Sequence, residues 1–113
     1  MNIKILDIKS GNLKSVENFF NKNFNYTIEI SDYQNINHRD GDLLIIPGVG
    51  NFGHVGKMIN DFDGGVKIKD FHKSGKILIG ICLGAQLLTE KSEESLGTRG
   101  LGLIKGECKS LVK

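Results

Sequence analysis

Gly80-Ile81-Cys82-Leu83-Gly84 holds the residue types and spacing best suited to chemistry in this chain. The apolar run Ile77-Leu78-Ile79 precedes it, and the good helix formers Ala85-Gln86-Leu87-Leu88 follow. The pattern predicts a strand, a sharp turn with a thiol at its apex, and a helix, which is the layout of a nucleophile elbow. Such a turn is crowded, and a Cβ on either side of the apex would collide with neighbouring backbone, hence the flanking glycines. The turn would lift the sulfur to the sheet's edge beside the amino end of a helix, where oriented N–H groups favour thiolate over thiol. A cysteine taken at random is more often a small buried hydrophobe. Its two glycines, between a strand and a helix, are what mark Cys82 as a nucleophile. Cys108, in Lys105-Gly106-Glu107-Cys108-Lys109, lacks that setting and reads as a packing or surface residue.

A second glycine-rich turn lies upstream. Gly48-Val49-Gly50-Asn51-Phe52-Gly53 matches G-x-G-x-x-G after a predicted strand, which taken alone suggests a dinucleotide site. That reading needs an acidic residue at the end of the next strand. Cys82 stands there instead, and Asp70 falls before the strand. A tight turn with no ligand is also consistent with the glycines. A third reading uses both turns at once. Attack of a thiolate on an amide or ester carbonyl makes an oxyanion, which needs two N–H donors already in place. Leu83, directly after the nucleophile, would supply one, and Val49 or Gly50 the other.

The elements that must position these turns alternate in type. Residues 3–8 read as a first strand, and Ser10-Gly11-Asn12 as turn and capping chemistry before a helix with Leu13, Val16, Phe19 and Phe20 at helical spacing. Residues 26–30 form a second strand, 31–41 a polar connection, and 42–46 an apolar strand buried on both faces and stopped by Pro47. Weaker helical stretches at 55–59 and 66–71 are split by Asp63-Gly64-Gly65. The elbow strand at 77–81 leads to a helix ending near Lys91, and glycines then break the chain into turns before a short strand at 108–112. The alternation predicts an α/β fold with a mostly parallel sheet and flanking helices. Ligands gather outside the carboxyl ends of such strands, so both glycine turns should face one crevice.

Length and composition narrow the field. At 113 residues, one domain with one core is expected. A net charge of +2 with scattered lysines argues against nucleic acid as a partner. Two cysteines in no C-x-x-C pair argue against a disulfide framework or a zinc site, and for a reducing cytoplasm. No apolar stretch approaches a membrane span, and the N-terminus has no signal-peptide pattern.

With these residues assembled, the sequence resembles the class I glutamine amidotransferases. Within them it is similar to the glutaminase subunits of imidazole glycerol phosphate synthases. The resemblance rests on Asp7-Ile8-Lys9-Ser10-Gly11-Asn12-Leu13-Lys14-Ser15, on Pro47-Gly48-Val49-Gly50-Asn51-Phe52-Gly53, on Gly80 through the elbow to Leu88, and on Gly100-Leu101-Gly102-Leu103-Ile104-Lys105-Gly106. It spans essentially the whole chain. The resemblance implies a flavodoxin-like α/β fold, with residues 1–113 forming the N-terminal portion of a single amidotransferase domain. It implies that Cys82 attacks the side-chain amide of glutamine, forms a glutamyl thioester and releases ammonia. Val49 and Leu83 would be the oxyanion donors, the former after a peptide reorientation, and Gly50, Gln86 and Glu94 would bind glutamine. No cofactor and no metal is called for. Ammonia would pass to a (β/α)8-barrel cyclase subunit, in a heterodimer serving histidine biosynthesis.

The family's nucleophile is activated by a histidine that a glutamate two residues later orients. His38, His54 and His72 do not match: His38 lies in the polar connection, Gly56 stands where an acid should follow His54, and His72 falls at a helix end. In the family that pair comes from a C-terminal portion, which also completes the fold. The expectation is therefore an uncovered sheet edge or face, and weak or no turnover by residues 1–113 alone. Two other readings keep the fold. One is a non-catalytic protein that docks on the barrel; the other is an amidotransferase subunit feeding surface-polysaccharide sugar synthesis.

Overall fold

The structure is a computed structural model that describes residues 1–9, 13–34, 36, 41–61 and 63–111. The predicted cap Ser10-Gly11-Asn12, His38 and the end of the predicted last strand at Val112 lie outside the described residues. In chain order the elements are β1 (Asn2–Asp7), α1 (Leu13–Asn23), β2 (Thr27–Asp32), β3 (Leu43–Gly48), α2 (Phe52–Asp61), α3 (Gly64–Lys73), β4 (Ile77–Cys82), α4 (Leu83–Leu87), β5 (Lys91–Ser92) and β6 (Glu107–Cys108). The first four strands form one parallel sheet in the order β2-β1-β3-β4. From β1 the chain steps outwards in both directions, which places a topological switch between β1 and β3. This is the α/β fold that the alternation predicts. The short β5 and β6 pair separately, also in parallel.

Alternation along β3 divides the core in two. Leu44 and Ile46 join Leu6, Ile8, Phe52, Ile59, Ile68, Phe71, Leu83 and Leu87 on the face covered by α2, α3 and α4. Leu43 and Ile45 join Ile3 and Ile5 on the other face, beneath Leu13, Val16 and Phe20 of α1. All six residues of β3 are buried, as its unbroken apolar run predicts. Each fully buried side chain of this size contributes about 1.5–3 kcal/mol, so β3 firmly anchors the Val49 and Gly50 turn that leaves it and the neighbouring β4 that carries the elbow.

β4 lies at the edge of the sheet. Its Leu78 packs against the larger core. On its other face Ile77, Ile79 and Ile81 are 54%, 37% and 36% exposed, because α1 packs on β1 and β2 and leaves that part of the sheet uncovered.

Element boundaries differ from the sequence reading in several places: α2 starts at Phe52, α3 starts at Gly64 inside the break read at Asp63-Gly64-Gly65, and the last strand is Glu107–Cys108. Two further differences lie beside the candidate site. β3 does not stop at Pro47 but runs through it to Gly48, with Pro47 opposite Ile81 and Gly48 opposite Cys82. The elbow helix ends at Leu87, not near Lys91. There the N–H groups of Leu101, Ile104 and Gly102 take the carbonyls of Leu87, Leu88 and Thr89 at 2.7–2.9 Å, so the glycine-rich segment supplies the partners that helix continuation would have used. Among the described residues no helix is long and apolar enough to cross a membrane.

Candidate active site

Cys82 ends β4 and immediately precedes α4, with φ 56° and ψ −119°. Those angles are those of the first central residue of a type II′ turn, a glycine position that an L side chain adopts at a cost of about 1–3 kcal/mol. Lys9 and Asp63 are the other described non-glycine residues with positive φ. The surroundings force the conformation on Cys82. A Cβ at Gly84 would lie 1.6 Å from the carbonyl oxygen of Ile46, and one at Gly80 2.6 Å from the Cα of Ala85. The first turn of α4 is thus pressed directly onto β3 and β4, and the chain can reach it only through a sharp bend. The thiol at that bend is free and exposed.

The second glycine turn starts beside the first. Gly48 is the register partner of Cys82, and adjacent strands run about 4.8 Å apart. Val49 and Gly50 therefore leave the sheet next to the elbow. Val49 is 59% exposed, and Gly50 has φ 114°, a conformation that suits glycine. Leu83, in contrast, is buried, as the first residue of α4. Its position leaves its N–H without a partner inside the helix.

Gln86 and Glu94, the other predicted binding residues, share the wall of an open cavity of about 360 Å³ with Cys108 and Lys109. Gln86 is on α4, four residues after Cys82, and Glu94 follows β5. A carboxylate oxygen of Glu94 accepts a hydrogen bond from Asn51 Nδ2 at 3.1 Å, which ties it to the β3–α2 turn. The structure thus sets Cys82, Val49, Gly50 and Leu83 at the carboxyl ends of β3 and β4, while Gln86 and Glu94 line a cavity whose described lining does not include Cys82. Sequence reasoning missed Asn51, whose place directly before a helix was the available signal. Cys108, read as a packing or surface residue, is half-buried in the cavity wall, 3.6 Å from Thr89 Oγ1.

No hydrogen bond joins Cys82 to a histidine among the described residues. His54 is exposed on α2, and its backbone N–H caps onto Asn51. His72 lines a different, largely apolar cavity with Ile77 and Leu78, at the opposite end of β4. No group of three or more His, Cys, Asp or Glu among the described residues could hold a metal ion. At the carboxyl ends of β1 and β2, Lys9 Nζ lies 2.9 Å from Asp32 and 3.4 Å from Asp7. The Gln34 backbone N–H, and then the Lys9 ammonium, hold the Asp32 carboxyl below its ordinary range. Asp32 and then Asp7 hold Lys9 above its own.

A parallel α/β sheet with a strained cysteine at a strand tip defines a class of nucleophile-elbow proteins, and a family match makes the class specific. Residues 5–110 match the family described as Glutamine amidotransferase class-I. The chain belongs to that family, a family of enzymes. It is 44% identical over 93% of its length to the "Imidazole glycerol phosphate synthase subunit HisH" of Sulfurimonas denitrificans, covering 50% of that protein. It is 44% identical over 99% of its length to the same-named subunit of Prochlorococcus marinus (strain MIT 9211), covering 51%. The chain spans about half the length of the curated relatives it matches. A crystal structure described as a peptidase E protein from Listeria monocytogenes EGD-e superposes with a TM-score of 0.65 at 14% identity, over 91% of this chain and 62% of that one. At that identity the likeness is one of fold.

Proposed function

We propose that this chain carries the nucleophile and the glutamine-recognition surface of a glutamine amidotransferase serving histidine biosynthesis. Support comes from the family match, from the relatives' names, and above all from one observation. Cys82 is exposed at φ 56° on the tip of β4, register-paired with the glycine that opens the Val49 and Gly50 turn. In this reading the Cys82 sulfur adds to the amide carbon of glutamine. Negative charge collects on the former carbonyl oxygen, where the N–H groups of Leu83 and Val49 receive it. Collapse of the adduct breaks the C–N bond, the departing nitrogen takes up a proton and leaves as ammonia, and water hydrolyses the thioester to glutamate. Gly50, Gln86 and Glu94 hold the substrate, with the Glu94 carboxylate suited to its α-ammonium group. Ammonia passes to a cyclase partner, and the setting is cytoplasmic.

The test is binding of L-glutamine to the Cys82→Ala chain, followed by titration calorimetry. Saturable binding that Glu94→Gln weakens by about tenfold or more is expected, since a hydrogen bond to a charged group contributes about 1.5–3 kcal/mol. Equal uptake of L-leucine would contradict the reading. A second reading keeps the fold and binds a partner without turnover; the two separate on ammonia release, since only the first allows any that depends on Cys82.

A further inference from the structure

We propose that Asn51 is a positioning residue for substrate recognition, holding the Glu94 carboxylate in place against the Val49 and Gly50 turn. The inference rests on the glutaminase reading above and assigns a specific task to a residue that reading does not use.

Asn51 does more than begin a helix. As the cap of α2 it needs only its side-chain oxygen, which accepts the His54 N–H at 3.0 Å. That same oxygen also accepts Ser95 Oγ at 3.2 Å, and Ser95 Oγ accepts the Gly53 N–H at 2.9 Å. The amide nitrogen is then committed to Glu94 Oε1 at 3.1 Å, across 43 positions of sequence. The backbone of Glu94 is fixed separately, because its N–H donates to Ser92 Oγ at 3.2 Å and Ser92 is only 4% exposed.

These bonds divide the labour clearly. The β5 side holds the main chain of Glu94, and Asn51 holds its carboxylate. Glu94 is an exposed residue on a turn. Without the amide its side chain would sample several rotamers, with a corresponding loss of rotamer entropy on binding a ligand. With the amide in place, one oxygen is occupied by a neutral donor. The other accepts no hydrogen bond among the described residues, which leaves an acceptor available beside the cavity that Glu94 and Gln86 line. Because Asn51 directly follows Gly50, the group that receives the α-ammonium is set at a fixed offset from the turn that receives the oxyanion. The two ends of the bound amino acid are thereby registered to each other.

Asn51→Asp separates this task from capping. Aspartate caps a helix as well as asparagine does, and it keeps the acceptor for His54 and Ser95. It removes the donor to Glu94 and sets two carboxylates side by side, which disfavours their joint ionisation. The experiment measures L-glutamine affinity by calorimetry and melting temperature for four chains: Cys82→Ala, and the same chain with Asn51→Asp, with Glu94→Ala, and with both. Expected is a loss of about tenfold in affinity for Asn51→Asp with the melting temperature held, and no further loss when Asn51→Asp is added to Glu94→Ala, as for residues acting through one another. Unchanged affinity in Asn51→Asp overturns the proposal and leaves the glutaminase reading standing. So does additive loss in the double variant, or a melting temperature that falls in step with affinity, which a purely structural role predicts. Failure of Cys82→Ala itself to bind L-glutamine overturns both.

Discussion

At the scale of single residues, the backbone of Cys82 carries the main consequence. An L residue held at φ 56° and ψ −119° is strained, whereas glycine reaches the mirror image of an ordinary conformation freely. Cys82→Gly is therefore expected to be more stable than Cys82→Ala by about 1 kcal/mol, against the usual rule that glycine destabilises. Urea denaturation of the two variants checks this, and a less stable glycine variant would show that the elbow is not strained. The same sterics made the site legible in the sequence. Contacts as close as those at Gly80 and Gly84 leave no alternative to glycine, so the bend is written directly as G-x-C-x-G. The clamp of Asn51 on Ser95 and Glu94 was not legible. It joins two loops more than forty positions apart, and only the path of the chain between them decides that they meet.

β1 and β3 were readable because buried strands announce themselves as apolar runs, and β4 carries such a run although no residue in it is fully buried. Boundaries were less so, since they depend on partners. Pro47 lacks an N–H, yet β3 continues past it because β4 still pairs alongside. α4 stops at Leu87 because segment 100–104 reaches its carbonyls, an arrangement set by tertiary packing. The ends of β1 and β2 are joined by Lys9 between Asp7 and Asp32. Because the folded state lowers the Asp32 pKa, its contribution to stability is complete above pH about 4 and is lost as pH falls through the native value. Asp32→Asn should flatten that acid limb in a plot of urea midpoint against pH. An unchanged limb would mean that the pair contributes nothing, which is common for exposed ions.

For the whole molecule, the parallel order β2-β1-β3-β4 has a consequence that no single element shows. β4 carries the nucleophile yet lies at the sheet edge, with Ile77, Ile79 and Ile81 partly exposed on one face. Exposed apolar edges template pairing with other chains. The chain is expected to self-associate with rising concentration, and Ile77→Lys, a change at the most exposed of the three, to reduce that association at a stability cost within about 1 kcal/mol. Sedimentation velocity across a concentration series would test it. Identical behaviour of the two chains would place the association elsewhere. The sequence pattern predicted an α/β class, and apolar periodicity carries that much. Which strand stands at the edge depends on the order of pairing, which periodicity does not encode.

The proposed function requires that the Cys82 sulfur reach the amide carbon of a bound glutamine. Its most direct test is alkylation of the chain by a chloromethyl ketone analogue of L-glutamine, followed by peptide mapping of both cysteines. Chloride leaves without needing a proton, so the result does not depend on a general base. Saturable labelling of Cys82, blocked by L-glutamine and leaving Cys108 untouched, is the expected result. Equal labelling of Cys82 and Cys108, or labelling of Cys82 that L-glutamine does not slow, would contradict it.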